Sequence, residues 1–506
     1  MVFTRKRKWT LPKLRFGNAE LDWVHQVKYL GITLDSKLTW KAHIDAKIKK
    51  AKRQLFMYKQ IVGQEFGPDP KYMRWMFTGI VRPSLTYGAI IWWRSATGKT
   101  ALAKLTKLTR LALLVMGPVR RSTPTAGLEV MGLIPPLDLF LEGEALKAWF
   151  RVLGIRAEIW DGCGKGGALG HRRALRKLSS KFNTPADCCD EIPDFQKWER
   201  AFQVSSVISP GQPTSSTIKC YTKGHRLNDR SGAGYCITHR TGRKLQEAIP
   251  LGKFPTQLQA ELVAIQRAAE SLLAFAGLGE ITIYAGSPTT LRTLNNNSAS
   301  SKTVLATMLT LDRLALANSY PVKLAWSSAA MRGEGNLIAT ALATEGSRTD
   351  PTDPEPTVPI TKGQLSKAVD EEVLQRWNRR WQNLTTARQS RELWPSVDKL
   401  KSLLLVRLNR QEYGEILRLL TGHNYLNRHS YLLQEAESAR CRLCHDAEET
   451  SHHLLCECPA LNDERIRILG SDPIAAPALS QLPLDGTRRF TILMRRRLSQ
   501  EGLDQI

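Results

Sequence analysis

The sequence predicts an α/β unit, a mixed five-stranded sheet with flanking helices, set between mainly α-helical N- and C-terminal segments. Three observations carry that prediction. IKCYTKGHRLNDRSGAGYC (218–236) reads as an apolar strand, a polar turn and a second strand opened by Ser231-Gly-Ala-Gly, which is a hairpin. Behind it, strand-like and helix-like periodicities alternate to about residue 347, and such alternation lays helices over a mixed sheet. DPTDPEPTVP (350–359) then ends the pattern, because four prolines among acids cannot continue a helix.

Within the unit, a third strand is expected near 243–250. Thr256-x-x-Gln259 is a capping box, and the helix it opens should bury Leu258, Leu262, Ile265, Ala269 and Leu272. A strand at ITIYA (281–285), a helical pair within 287–318, a strand at VKLAW (322–326) and a helix from about 335 complete it. Upstream, VKYLGITLD (27–35) reads as a strand with a turn. From Trp40 to about Ile61 the period becomes helical, with Ile44, Ile48, Ala51, Leu55 and Tyr58 on one face. Lys41, Lys47, Lys49, Lys50, Lys52, Arg53 and Lys59 occupy much of the rest. Lys47, Lys50 and Arg53 are therefore candidate phosphate contacts, against the plainer reading of a solvated face on a core helix.

Helical regions follow at 70–93, ending in Tyr87, Trp92 and Trp93, and at 101–116. Residues 120–149 form a turn-rich connector and a helix, and 160–215, rich in Gly, Ser and Pro, read as a linker. Past residue 360, Val369, Val373, Trp377 and Trp381 recur every four residues with Arg376, Arg379 and Arg380 between them. That stripe is either helical core or, through Arg376 and Arg380, part of a nucleic-acid clamp.

The charge is lopsided. Formal net charge is +26, and residues 1–121 hold 25 Lys/Arg against 6 Asp/Glu, so +19 of it lies in the first quarter. A polyanionic partner follows, and nucleic acid is the expected one. No apolar run is long enough to span a bilayer, and MVFTRKRKW has charge without the apolar core of a signal peptide. Nine cysteines in 506 residues are too few for a disulfide scaffold, so an intracellular compartment is expected, nucleus and cytoplasm being undistinguished. Four of the nine, however, fall within CRLCHDAEETSHHLLCEC (441–458). Cys441-x2-Cys444 followed by His and Cys can close a tetrahedral zinc site, with His445, His452, His453, Cys456 and Cys458 competing for the last two positions.

VKYLGITLDSKLTWKAHI (27–44), IVRPSLTYGAIIWW (80–93), TPTAGLEVMGLIPPLDL (123–139), YTKGHRLNDRSGAGYCI (221–237), LTGHNYLNRH (420–429) and CRLC…HHLLCECPAL (441–461), in this order, resemble consecutive landmarks of one family. It is the C-terminal part of the polyprotein of jockey-like and ribosomal-DNA-inserting insect non-LTR retrotransposons. The resemblance implies a thumb-like reverse-transcriptase end (1–121), a connector (122–212), a type-1 ribonuclease H (RNase H) domain (213–349), a linker (350–359), a helical region (360–440), a CCHC zinc knuckle (441–459) and a tail (460–506). It places the polymerase's metal-binding Asp pair upstream of Met1, so polymerisation by this chain alone is not expected. Its CCHC register falls on Cys441, Cys444, His453 and Cys458.

The same resemblance sets a test for the sheet unit. RNase H cuts the RNA of an RNA–DNA hybrid with four carboxylates around two divalent ions roughly 4 Å apart. The family's YTDGS reads Tyr-Thr-Lys223-Gly here, QAE survives as Gln259-Ala260-Glu261, and SDS becomes Ala285-Gly286-Ser287. The last acid falls on Thr340 and the catalytic-loop His on Ala330. Glu261 alone remains, and a cation stands where the first Asp would hold Mg²⁺. The expected function is binding of RNA, DNA or hybrid, in association with a retrotransposon ribonucleoprotein, without cleavage. The alternative is an active hybrid ribonuclease, Mg²⁺-dependent, that recruits Asp229 or Glu334.

Overall fold

The computed structural model describes residues 1–3, 13–63, 66–153, 173–174, 186–187, 200–205, 218–275, 279–296, 299, 301–326, 333–475, 478, 481 and 483–500. Most of the stretch read as a linker, 160–215, and the loop carrying Ala330 lie outside them. The chain divides into two compact units, Leu146–Ala368 and Met1–Ala145 with Val369–Ile506.

In the first unit the strands are β1 (Gln203–Val204), β2 (Ile218–Leu227), β3 (Arg230–His239), β4 (Lys244–Gly252), β5 (Ile281–Ala285) and β6 (Val322–Trp326). The helices are α1 (Gln257–Leu272), α2 (Pro288–Asn295), α3 (Lys302–Ala317) and α4 (Glu334–Arg348). The sheet order is β1-β6-β5-β2-β3-β4. β2, β3 and β4 pair antiparallel, whereas β5 joins β2 and β6, and β6 joins β1, in parallel. The mixed sheet matches expectation, but it has six strands rather than five. β1 is two residues long, held by pairing to Lys323 and Leu324 and by Ser205 N–H donating to Leu324 O (2.9 Å). So short a strand has no periodicity to read.

Burial explains the layers. Ile218, Cys220 and Thr222 alternate inward along β2, as a half-buried strand requires. The capping box forms as expected: Gln259 N–H donates to Thr256 Oγ1 (3.2 Å) and Thr256 N–H to Gln259 Oε1 (3.0 Å). The helix it opens buries Leu262, Ile265, Ala269 and Leu272, the large ones contributing about 1.5–3 kcal/mol each. Residues 350–359 run along this unit: Thr357 Oγ1 donates to Leu251 O (2.8 Å), and Val358 is buried in its core. A buried carboxylate from the connector, Asp187, accepts from Gln259 Nε2 (3.0 Å), Ser301 Oγ (2.8 Å) and Thr303 N–H (3.0 Å).

The second unit is mainly helical. An antiparallel hairpin (Gln26–Tyr29, Ile32–Asp35) precedes the helix Lys41–Gln60, which buries Ile44, Ile48, Ala51 and Leu55 as its spacing predicts. The expected helix over 70–93 is interrupted. A π turn spans Phe77–Val81, and the chain breaks at Tyr87-Gly88, where Gly88 has φ 70°, before Ala89–Ala96. His43 is buried, accepts Thr33 N–H at Nδ1 (3.1 Å), and is held down at about 4 by burial and by Lys47. Trp377 and Trp381 are core, and Trp381 Nε1 donates to Trp394 O (2.8 Å). Among the described residues no helix is long and apolar enough to cross a membrane.

Candidate functional site

Lys223, Glu261 and Gly286 come together where β2, α1 and the end of β5 meet. Gly224 lets them meet: a Cβ there would stand 2.5 Å from Glu261 N and 2.8 Å from Ala260 C, both backbone atoms. Glu261 is 4% exposed. Burial raises its pKa above the ordinary carboxylate range, while the hydroxyl of Thr290, which donates to Oε2, and the charge of Lys223 pull it down. The Lys223 ammonium is pushed down by its own burial and partly restored by Glu261. Its stem crosses Gly286: a Cβ on Gly286 would meet Lys223 Cδ at 2.8 Å and Nζ at 3.3 Å. One side chain thus fills two of the positions where the resemblance puts carboxylates.

The remaining positions are spent elsewhere. Thr340 is exposed on α4 and its hydroxyl donates back to Asn336 O (2.8 Å). Asp229 sits in the β2–β3 turn at φ 67°, paired with Arg226 (3.4 Å), and Glu334 pairs with Lys244 (2.7 Å). Ala330 lies outside the described residues. Thr290 was not foreseen; it begins a helix in an unremarkable Pro-Thr-Thr, and only tertiary proximity gives it a role.

The Cys/His segment brings its residues together. Ligand atoms of Cys441, Cys444, His453 and Cys458 all lie within 4.8 Å of one another. Cys441 Sγ and Cys458 Sγ are 4.0 Å apart, and Cys444 Sγ and His453 Nε2 are 3.3 Å apart. A tetrahedral zinc with bonds of about 2.0–2.3 Å needs ligand separations of roughly 3.5–3.8 Å, so the quartet suits a metal such as zinc. The hydrogen bond that Cys441 shares with Cys458, and those from the turn's N–H groups, lower its thiol pKa against the burial that raises it. The competitors fall away for a visible reason. A π turn, His453–Glu457, directs His453 inward, leaves Cys456 buried apart with its thiol pushed up to about 11, and turns His452 toward Glu457 (3.4 Å). His445 is exposed at φ 59°. Glu449, fully buried, braces the turn by pairing with Arg442 (2.5 Å).

The candidate phosphate contacts divide. Lys50 and Arg53 are exposed and have no acidic partner among the described residues. Lys47 instead donates to Ser84 O (3.2 Å) and lies over the Tyr87 ring (5.0 Å). Arg376 and Arg380 pair with Glu142 (2.5 Å) and Asp138 (2.6 Å), so both guanidinium groups hold helices together.

No protein-family model matches the chain. Over 136 residues it is 29% identical to a 115 kDa protein of the type-1 retrotransposable element R1DM of Drosophila melanogaster, a stretch covering 27% of this chain and 13% of that protein. The likeness to a non-LTR retrotransposon polyprotein read in the sequence thus has a curated counterpart. Among solved structures, RNase H1 of Halobacterium salinarum NRC-1 aligns at 18% identity, covering 26% of this chain and 96% of that one, with a TM-score of 0.22. The N-terminal RNase H domain of a Mycobacterium tuberculosis protein, fused to maltose-binding protein, aligns at 12%, covering 26% and 98%, with a TM-score of 0.23.

Proposed function

We propose that the chain binds nucleic acid as a product derived from a non-LTR retrotransposon, and that its RNase H-like unit no longer hydrolyses RNA. The observation that supports this most is the stem of Lys223 lying over Gly286 beside Glu261. Two-metal hydrolysis needs hard oxygen ligands on both ions, and a tethered ammonium at their entrance repels them. Asp229 and Glu334, the acids an active ribonuclease would have to recruit, are each engaged by a cation of their own.

Net charge of +26 supports the binding half of the proposal, with Lys50 and Arg53 as surface contacts and Lys223 as a contact within the old site. Cys441, Cys444, His453 and Cys458 would hold one structural zinc per chain. Four protein ligands close the sphere and leave no open position for hydrolysis. A labelled RNA–DNA hybrid tests both halves. Expected are salt-sensitive binding and no cleavage in Mg²⁺ or Mn²⁺; turnover abolished by Glu261→Gln would overturn the reading.

A further inference from the structure

LTGHNYLNRH (420–429) has no part in either centre described above. It follows the helix Arg410–Thr421, where Gly422 at φ 75° turns the chain and returns its N–H to Leu419 O (3.2 Å). Beyond that turn the loop is sewn to the Cys/His segment. Asn424 Nδ2 donates to Ser451 Oγ (2.6 Å), Asn427 N–H to Glu449 Oε1 (2.9 Å) and Asn427 Nδ2 to Arg440 O (2.8 Å). Arg428 pairs with Glu448 (2.9 Å).

Between these anchors stands Tyr425. The Arg120 guanidinium lies 4.1 Å from its ring centroid and that of Arg418 5.3 Å. Both cations are fixed: Arg120 by both oxygens of Glu435 (3.2 and 2.8 Å) and Arg418 by Pro118 O (2.8 Å). Arg120 Nε is buried with no partner among the described residues. Against this stack lies a half-open cleft. Arg418, Tyr425, Gln411 and the Arg495–Glu415 ion pair (2.5 Å) give it a polar edge, and Met494 and Leu498 give it an apolar wall.

We propose that this cleft takes one unpaired nucleobase of a single-stranded RNA or DNA, stacked on the Tyr425 side and flanked by the arginines. The proposal rests on the reading of the chain as nucleic-acid-binding. A base is planar, apolar on its faces, polar on its edge and joined to phosphates, and each property has its counterpart here. A duplex keeps its base faces stacked on one another, so a concave cleft cannot reach them. An acidic peptide would answer the arginines and leave the ring and the apolar wall unused.

Fluorescence anisotropy on the full chain tests this, with labelled oligoadenylate, a blunt RNA–DNA hybrid and polyglutamate as probes. Tyr425→Leu should lower oligoadenylate affinity roughly tenfold, Tyr425→Phe should leave it unchanged, and neither should alter hybrid binding. Gln411→Glu changes an exposed residue at the mouth, so the fold is spared while phosphate is repelled, and affinity should fall several-fold. An unchanged Tyr425→Leu affinity, an equal loss on the hybrid, or polyglutamate held as tightly as oligoadenylate would overturn the proposal. If the wild type binds hybrid but not oligoadenylate, this inference falls and the functional reading stands. If it binds neither, both fall.

Discussion

In the sheet unit Glu261 has, among the described residues, no acid at the positions the resemblance implies, and a lysine is laid across Gly286 beside it. In the Cys/His segment, Cys441, Cys444, His453 and Cys458 keep all four ligand atoms within 4.8 Å. The two regions differ in what holds them together. The sheet unit is held by apolar burial: Ile218, Ile265, Leu272, Ile281, Ile283 and Leu324 are all fully buried. Such a core is indifferent to the loss of a few polar ligands at one edge. The Cys/His segment has a handful of buried leucines in a polar stretch, and small segments of that kind fold on their metal. On the proposed function, ligands are dispensable in the sheet unit, whose core packs without them, and indispensable in the Cys/His segment, where they are the core.

The sharpest way to break that contrast is at the metal. Cys441→Ser or Cys444→Ser should each lower zinc affinity by at least about a hundredfold and melt the segment, since metal binding there is folding free energy. Metal analysis of the purified wild type that finds no zinc would end the comparison. Next in size is the packing of β2 against α1 beside Glu261. Gly224→Ala sets a Cβ against the backbone of α1, and chemical denaturation should show a loss of about 3 kcal/mol or more.

Acid separates the two units. His43 has its pKa held at about 4 by burial, against 6.5 in the unfolded chain. The unfolded form therefore takes up a proton first, and stability intact above pH 6.5 is lost as the pH falls toward 4. Against His43→Gln, the wild type should lose up to about 3 kcal/mol over that window, read from denaturant midpoints. Glu261 works the other way. Its raised pKa means that the folded form takes the proton first, so the sheet unit gains from it as pH falls below the raised value.

Two smaller effects refine the picture of the tethered cation. A double-mutant cycle of Lys223→Met and Glu261→Gln should return a favourable coupling of about 1 kcal/mol; zero coupling would mean that the ammonium does not serve the carboxylate. Gly286→Ala meets only the flexible stem of Lys223, so it should cost less than about 1 kcal/mol, well below Gly224→Ala.

Much of this was legible in the sequence where the signal is local. The capping box at Thr256, the buried face of α1, the strands ITIYA and VKLAW and the basic helix Lys41–Gln60 follow from periodicity and end signals. The Cys/His quartet was nearly so; spacing left His445, His452 and Cys456 in play, and the π turn at His453 decided among them. Contacts across long stretches of chain were not legible. Arg376 and Arg380 look like phosphate contacts until Glu142 and Asp138, more than 230 residues away, are seen to hold them. The Asp187 clasp and the strand Gln203–Val204 lay hidden in a stretch whose composition is that of a linker.

Which chemical groups the chain carries could be read from its residues alone: Lys223, Gly286 and Thr340 where the resemblance expects acids, a Cys/His cluster at 441–458, and a large positive charge. Composition and spacing are properties of the chain, so no fold is needed to read them. Where those groups point was settled by packing. It laid Lys223 over Gly286, tied two arginines to acids and brought Arg120 and Arg418 to the ring of Tyr425. Side-chain partners come from packing residues distant in the chain, and no local pattern encodes that choice.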